Sequence, residues 1–158
     1  MTNPTGVTGV TATGEPGRGT AQAYSSAGGM AALGSVMSVG EGTVVFNPAG
    51  SNYELKLLAP SYTGPVGTPV KGIVRVAARK VWTVPSGGNF ISPIFGPPRT
   101  IQGRVRLLEP GRLVVHAGCQ IWVNLPDNDI VYDLANGPIR VGAIVNVTAL
   151  PGATFELA

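Results

Sequence analysis

Two related phrases decide how this chain is read: Val70-Lys71-Gly72-Ile73-Val74-Arg75-Val76 and Ile101-Gln102-Gly103-Arg104-Val105-Arg106-Leu107. Both alternate with a period of two, which is the repeat of a strand. In the first, Gly72, Val74, Val76 and Ala78 share one face, while Lys71, Arg75 and Arg79 share the other. In the second, Val105 and Leu107 oppose Arg104 and Arg106. Small and β-branched residues on one side with cations on the other suit a sheet that has one buried and one solvated face. The shared glycine is what a strand needs where it bends or meets another backbone.

The same pattern extends in both directions. Downstream, Glu109-Pro110-Gly111-Arg112 reads as a turn and Leu113 to Ala117 as its returning hairpin strand. After Gly118, which permits a bulge, Cys119 to Leu125 alternates again, with Ile121, Val123 and Leu125 on one face and Trp122 and Asn124 on the other. Strands over 130–134, 139–150 and 153–157 are separated by turn signals at Ala135-Asn136-Gly137-Pro138 and Pro151-Gly152. Between the two phrases, a Gly/Pro loop from Asn89 to Arg99 carries Phe90, Ile91, Ile94 and Phe95, so it is expected to pack on something. Upstream, Thr43 to Phe46 is a short β run, Asn47-Pro48-Ala49-Gly50 a turn, and Asn52 to Ala59 a further alternating stretch.

Residues 1–40 differ in character. They are rich in Gly, Ala, Ser and Thr, and cannot offset their own ordering entropy in isolation. We expect an arm here, either a free tail or a segment laid on a neighbouring subunit, with one helical turn over Met30 to Met37. Residues 41–158 form the β domain. The fold class expected is all-β, a small antiparallel barrel or a β-sandwich with an N-terminal arm. From Val70 to Leu157 the layout resembles an oligonucleotide/oligosaccharide-binding (OB) barrel. The likeness lies in a long Gly-bent first strand, a hairpin, and the closing phrase Val141-Gly142-Ala143-Ile144-Val145-Asn146-Val147. It departs from that family between Asp127 and Gly137, where the usual helix has no room.

Composition narrows the function classes. Charged residues are 12% of the chain, about half the usual share. From Lys71 to Arg112 there are eight basic residues against one acid, Glu109, a local net charge of +7 within a chain of formal net charge +3. With one cysteine, Cys119, no internal disulfide forms. The first residues lack the basic and apolar regions of a secretory signal, and no apolar run approaches the ~20 residues of a membrane span. The expected location is the cytoplasm, or a virion or shell assembled there.

No catalytic set is found in the sequence. His116, the one histidine, and Cys119 lie three apart, on opposite faces of a regular strand, so a Cys–His couple would need a bulge at Gly118. One Cys and one His make no zinc site. Asp127, Asn128, Asp129 and Asp133 lack the alternation, central Gly and terminal Glu of a calcium loop. No phosphate loop occurs. We therefore expect no enzyme, no cofactor, no metal and no small-molecule substrate.

The residues expected to carry function are a basic face and an apolar loop. The basic face comprises Lys71, Arg75, Arg79, Arg104 and Arg106, whose guanidinium forks suit carboxylate or phosphate. The loop residues are Phe90, Ile94 and Phe95, and Trp82 and Trp122 are the stacking candidates. The primary expectation is a non-enzymatic assembly protein, forming a homo-oligomer or decorating a shell or capsid through its arm and its basic face. The alternative is an OB-like nucleic-acid-binding module using Arg75, Arg79, Arg104 and Arg106 with an exposed Trp.

Overall fold

In the computed structural model, residues 29–127 and 132–158 are described. Residues 1–28, most of the expected arm, lie outside this range, as do 128–131 of the acidic turn. The chain divides into two units, and the second, Ala32–Leu157, is the β body described below. Its strands are β1 (Ala32–Val39), β2 (Thr43–Pro48), β3 (Glu54–Leu58), β4 (Pro69–Val84), β5 (Phe90–Ser92) and β6 (Phe95–Gly96). They continue with β7 (Thr100–Glu109), β8 (Arg112–His116), β9 (Gln120–Asn124), β10 (Tyr132–Asp133), β11 (Ile144–Ala149) and β12 (Thr154–Leu157).

The body is all-β, as the alternation implies, but its sheet is mixed and not purely antiparallel. β4 pairs in parallel with β9 and with β10, and β3 with β6. Following the hydrogen-bonded neighbours gives the order β9-β8-β7-β11-β4-β12-β3-β2-β1, with further pairings of β9 and of β1 to β4. The pairings therefore run round two circuits that share one strand. One passes through β4, β9, β8, β7 and β11; the other through β4, β12, β3, β2 and β1.

A bulge interrupts β4 midway. Thr148 of β11 stands opposite Lys80, and the next residue, Ala149, opposite Ala78, so Arg79 is left over on β4. The extra residue inverts the alternation. Before it, Gly72, Val74, Val76 and Ala78 are buried; after it, Val81 and Thr83 are. A second bulge leaves Arg106 unpaired, because Val105 faces Val115 while Leu107 faces Val114.

The repeated glycines are explained by close approach. A Cβ at Gly72 would lie 2.2 Å from the Phe155 ring, and one at Gly103 would lie 2.0 Å from the His116 carbonyl oxygen. Phe155 in turn packs on Phe46 with centroids 4.8 Å apart, joining β12 to β2 within the core. Around the other circuit, Ile101, Val105, Leu113, Val115, Ile121, Val123, Val145 and Val147 are fully buried.

Two expectations are corrected. Met30 to Met37 holds no helical turn: Ala32–Val39 is a strand, paired with both β2 and β4. Gly34 explains this, since its missing Cβ lets Asn47 of β2 come close. The sheet thus takes in Ala32–Val39, residues that composition groups with the arm. The closing strand is also shorter than its sequence pattern, running Ile144–Ala149, because Gly142 and the bonds of Gly142 and Ala143 form a turn before it.

The close approach at Gly103 is directly testable. Its neighbour is backbone and cannot yield, so Gly103→Ala is expected to destabilise the fold by about 2 kcal/mol or more in urea denaturation. Gly88→Ala, where nothing lies within 4 Å, should leave the midpoint unchanged.

Candidate functional site

The basic residues do not form a single row. β4 and β7 are not paired with each other; β11 stands between them along one side, and β9 and β8 along the other. Arg75 is ion-paired to Glu156 of β12. Arg104 donates to the Gly142 carbonyl at 2.8 Å. Arg79 and Arg106 sit at the bulges of β4 and β7, both exposed, and Lys71 is exposed opposite Leu33. Arg112, outside the expected set, is bonded to Glu109 at 2.6 Å and covers the Trp122 ring at 4.6 Å.

Trp122 is therefore no stacking platform. It is 1% exposed, opposite Val114 on β8 and Arg75 on β4. Its Nε1 is buried without a hydrogen-bond partner. Trp82, by contrast, is half-buried on the outer face of β4, with the Lys80 ammonium 5.6 Å from its ring centroid.

Register places Trp82 in an arrangement that the sequence does not announce. Asn146 of β11 stands opposite Trp82 and also opposite Gln102 of β7, which stands opposite Phe90 of β5. Directly paired residues point to the same face. Trp82, Asn146, Gln102 and Phe90 thus form one row across four adjacent strands, spanning about 14 Å at the usual strand spacing. Their chain neighbours Val81, Val145, Val147, Ile101 and Ile91 are all buried, which confirms that the row faces outward. Gln102 Nε2 donates to the Gly88 carbonyl at 3.0 Å. Asn146 Oδ1 is buried and has no partner.

Parallel rows flank this one. On one side are Lys80, Thr148, Thr100 and Ser92; on the other, Val84, Ile144, Arg104 and His116. Beyond the latter lies a cleft of about 620 Å³ lined by Thr83, Arg104, Asn136, Gly137 and Arg140 among others. Thr83 Oγ1 donates to the Gly137 carbonyl at 2.9 Å and Asn136 Nδ2 to the Thr83 carbonyl at 3.1 Å, so both walls are fixed. Sequence reasoning missed Asn146, Gln102 and Arg140. Nothing in the local pattern sets an Asn in one strand beside a Trp that lies 64 positions earlier in the chain.

The apolar loop residues split between two places. Phe90 (37% exposed) ends the row just described, whereas Ile94 (45%) and Phe95 (65%) adjoin β3, with the Glu54 amide donating to the Ile94 carbonyl. The loop packs through Ile91, which is 2% exposed. A second set of exposed apolar side chains lies on β1: Leu33 (55%), Met37 (52%) and Val39 (49%). Val66 (53%) lies close by, because the Gly67 amide donates to the Val36 carbonyl.

His116 and Cys119 occupy opposite faces. His116 Nδ1 is 3.2 Å from Gln120 Oε1 on the outside, and Cys119 belongs to the core. Among the described residues no group of three His, Cys, Asp or Glu could hold a metal ion, and no helix is long and apolar enough to cross a membrane.

Burial pushes the Cys119 thiol up to about 12 from an ordinary value of 9.0. The folded thiol therefore stays protonated where the unfolded one ionises. Its contribution to stability is complete below about pH 9 and is lost as the pH rises toward 12. At pH 8 the native protein should leave a thiol reagent such as Ellman's reagent unreacted for hours, with one equivalent released in denaturant; rapid native reaction would contradict the placement. No protein-family model matches this chain, and no curated protein or solved structure matches it either.

Proposed function

We propose that this chain is a non-enzymatic assembly protein, a β body that associates with copies of itself as part of a shell or as a decoration on one. The observation carrying this reading is the group of exposed apolar side chains on and beside β1. Leu33 and Met37 of β1, with Val66 beside them, are each about half exposed, and Val39 is exposed at the strand's end, opposite Val44. Single exposed apolar residues are ordinary on any protein, but three large ones in one region leave apolar area that water disfavours and a partner would cover. A second copy suits the site because charge is nearly absent: of these strand and loop positions only the flanking Lys71 and Glu41 are ionic. Lys71 stands opposite Leu33 and offers a polar rim contact.

The finer architecture proposed is OB-like. The circuit of β4, β9, β8, β7 and β11 has the five strands of that fold and returns on itself, which supports a small closed barrel with the second circuit appended through β4.

Multi-angle light scattering across a range of concentrations tests the assembly reading. The wild-type chain should run well above monomer mass. Leu33→Lys with Met37→Lys, both at exposed positions, should bring it to monomer mass while thermal melting remains cooperative. A wild-type chain that stays monomeric up to about 100 µM, a concentration at which interfaces of ordinary affinity are populated, would refute this reading.

A further inference from the structure

We infer that the outer face of β4, β11, β7 and β5 is a binding strip for single-stranded nucleic acid, centred on Trp82, Asn146, Gln102 and Phe90. The inference rests on residues separate from the β1 face and does not depend on assembly.

Four properties converge on this strip. First, it has an aromatic ring at each end, Trp82 half-buried and Phe90 37% exposed, so each ring is held by the sheet and still offers area to a ligand. Their separation of about 14 Å equals about four base steps of a stacked strand, and fewer in an extended one. Aromatic faces accept any base, which gives affinity without sequence preference. Secondly, the two amides lie between the rings. Gln102 is tied to the Gly88 carbonyl. Asn146 is half-buried, and its Oδ1 has no hydrogen-bond partner, so a turn of the amide toward a base-edge donor breaks no bond at that oxygen.

Thirdly, the charge around the strip is cationic. Lys80 lies over Trp82 in the flanking row, Arg104 lies in the opposite row, and Arg140 stands in the adjoining cleft. Among the described residues, the acid paired by backbone register with a residue of the row is Asp133, opposite Trp82. Three cations against one acid favour a polyanion. Finally, the residues sit on paired strands, not on free loops, so their spacing is fixed before any ligand arrives.

A neutral oligosaccharide is the rival, because aromatics and amides also suit sugars. It gives the cations no role, and the same titration separates the two.

The experiment is a fluorescence-anisotropy titration of the full chain into a labelled oligothymidine of about twelve nucleotides, within the site size of small β-barrel binders. Saturable binding is expected at about 50 mM salt, weakening steeply by 200 mM. Trp82→Ala should weaken it about tenfold, since base stacking on one ring is worth that much. Trp82→Phe should keep most of the affinity, and Arg140→Ala should reduce the salt slope by about one. Lys56→Ala, exposed on β3, should change nothing. If Trp82→Ala does not melt cooperatively, Phe90→Ala decides. Absence of binding at 50 mM salt would overturn the inference. So would wild-type affinity in a folded Trp82→Ala or Phe90→Ala variant, or competition by an uncharged glucan oligosaccharide bound independently of salt.

Discussion

The double use of β4 is the constraint on which the rest of the structure depends. Residues 74 and 75 of this strand are paired on two sides at once, to β9 and to β12. Its later half is held by β11 and β10. A regular strand of 16 residues would keep one set of side chains buried along its whole length. The bulge at Arg79 changes which set is buried halfway along, and Ala78 and Val81 on its two sides stand opposite Ala149 and Val147, on one face of β11. A bulge is affordable here because both neighbouring ladders resume immediately beyond it. Gly72 and Gly103 serve the same end, one admitting the Phe155 ring against β4 and the other letting β7 and β8 approach closely.

Much of this was legible in the sequence, and the reason is local. Alternation along β4, β7 and β9 depends only on residues two apart, and the turn at Glu109-Pro110-Gly111-Arg112 depends on four consecutive ones, so the hairpin of β7 and β8 follows directly. The bulge was not legible. Arg79 and Lys80 are adjacent cations, and a pair of exposed residues looks like the end of a strand until the partner's register is known. β1 was hidden for the opposite reason. Its Gly, Ser and Met content says little about strand propensity, and its place is fixed by non-local pairing to β2 and β4.

The candidate site divides along the same line. Sequence marked Trp82, Phe90 and Arg104 singly, by residue type. It could not show that the first two belong to one row, because that depends on the registers of three separate ladders. It also gave Trp122 and Trp82 equal weight. Both alternate opposite a core strand, but β9 is flanked by β8 and β4 on its two edges, and Val114, Arg75 and Arg112 surround the Trp122 ring.

Low charge content gives each cation a larger share of the structural work. Arg75 ties β4 to β12 through Glu156, Arg112 closes its hairpin onto Glu109, and Arg104 holds the Gly142 turn. Exposed ion pairs of this kind contribute little stability each, so their effect is mainly geometric. An arginine already engaged with a carboxylate also presents less net charge to an incoming polyanion. Cations near a backbone carbonyl or an aromatic ring keep theirs, as Arg104 and Lys80 do. The positive field of this protein is thus expected to centre on the β4–β11–β7 face, away from Arg75, even though the two phrases that define the fold carry arginines in equal measure.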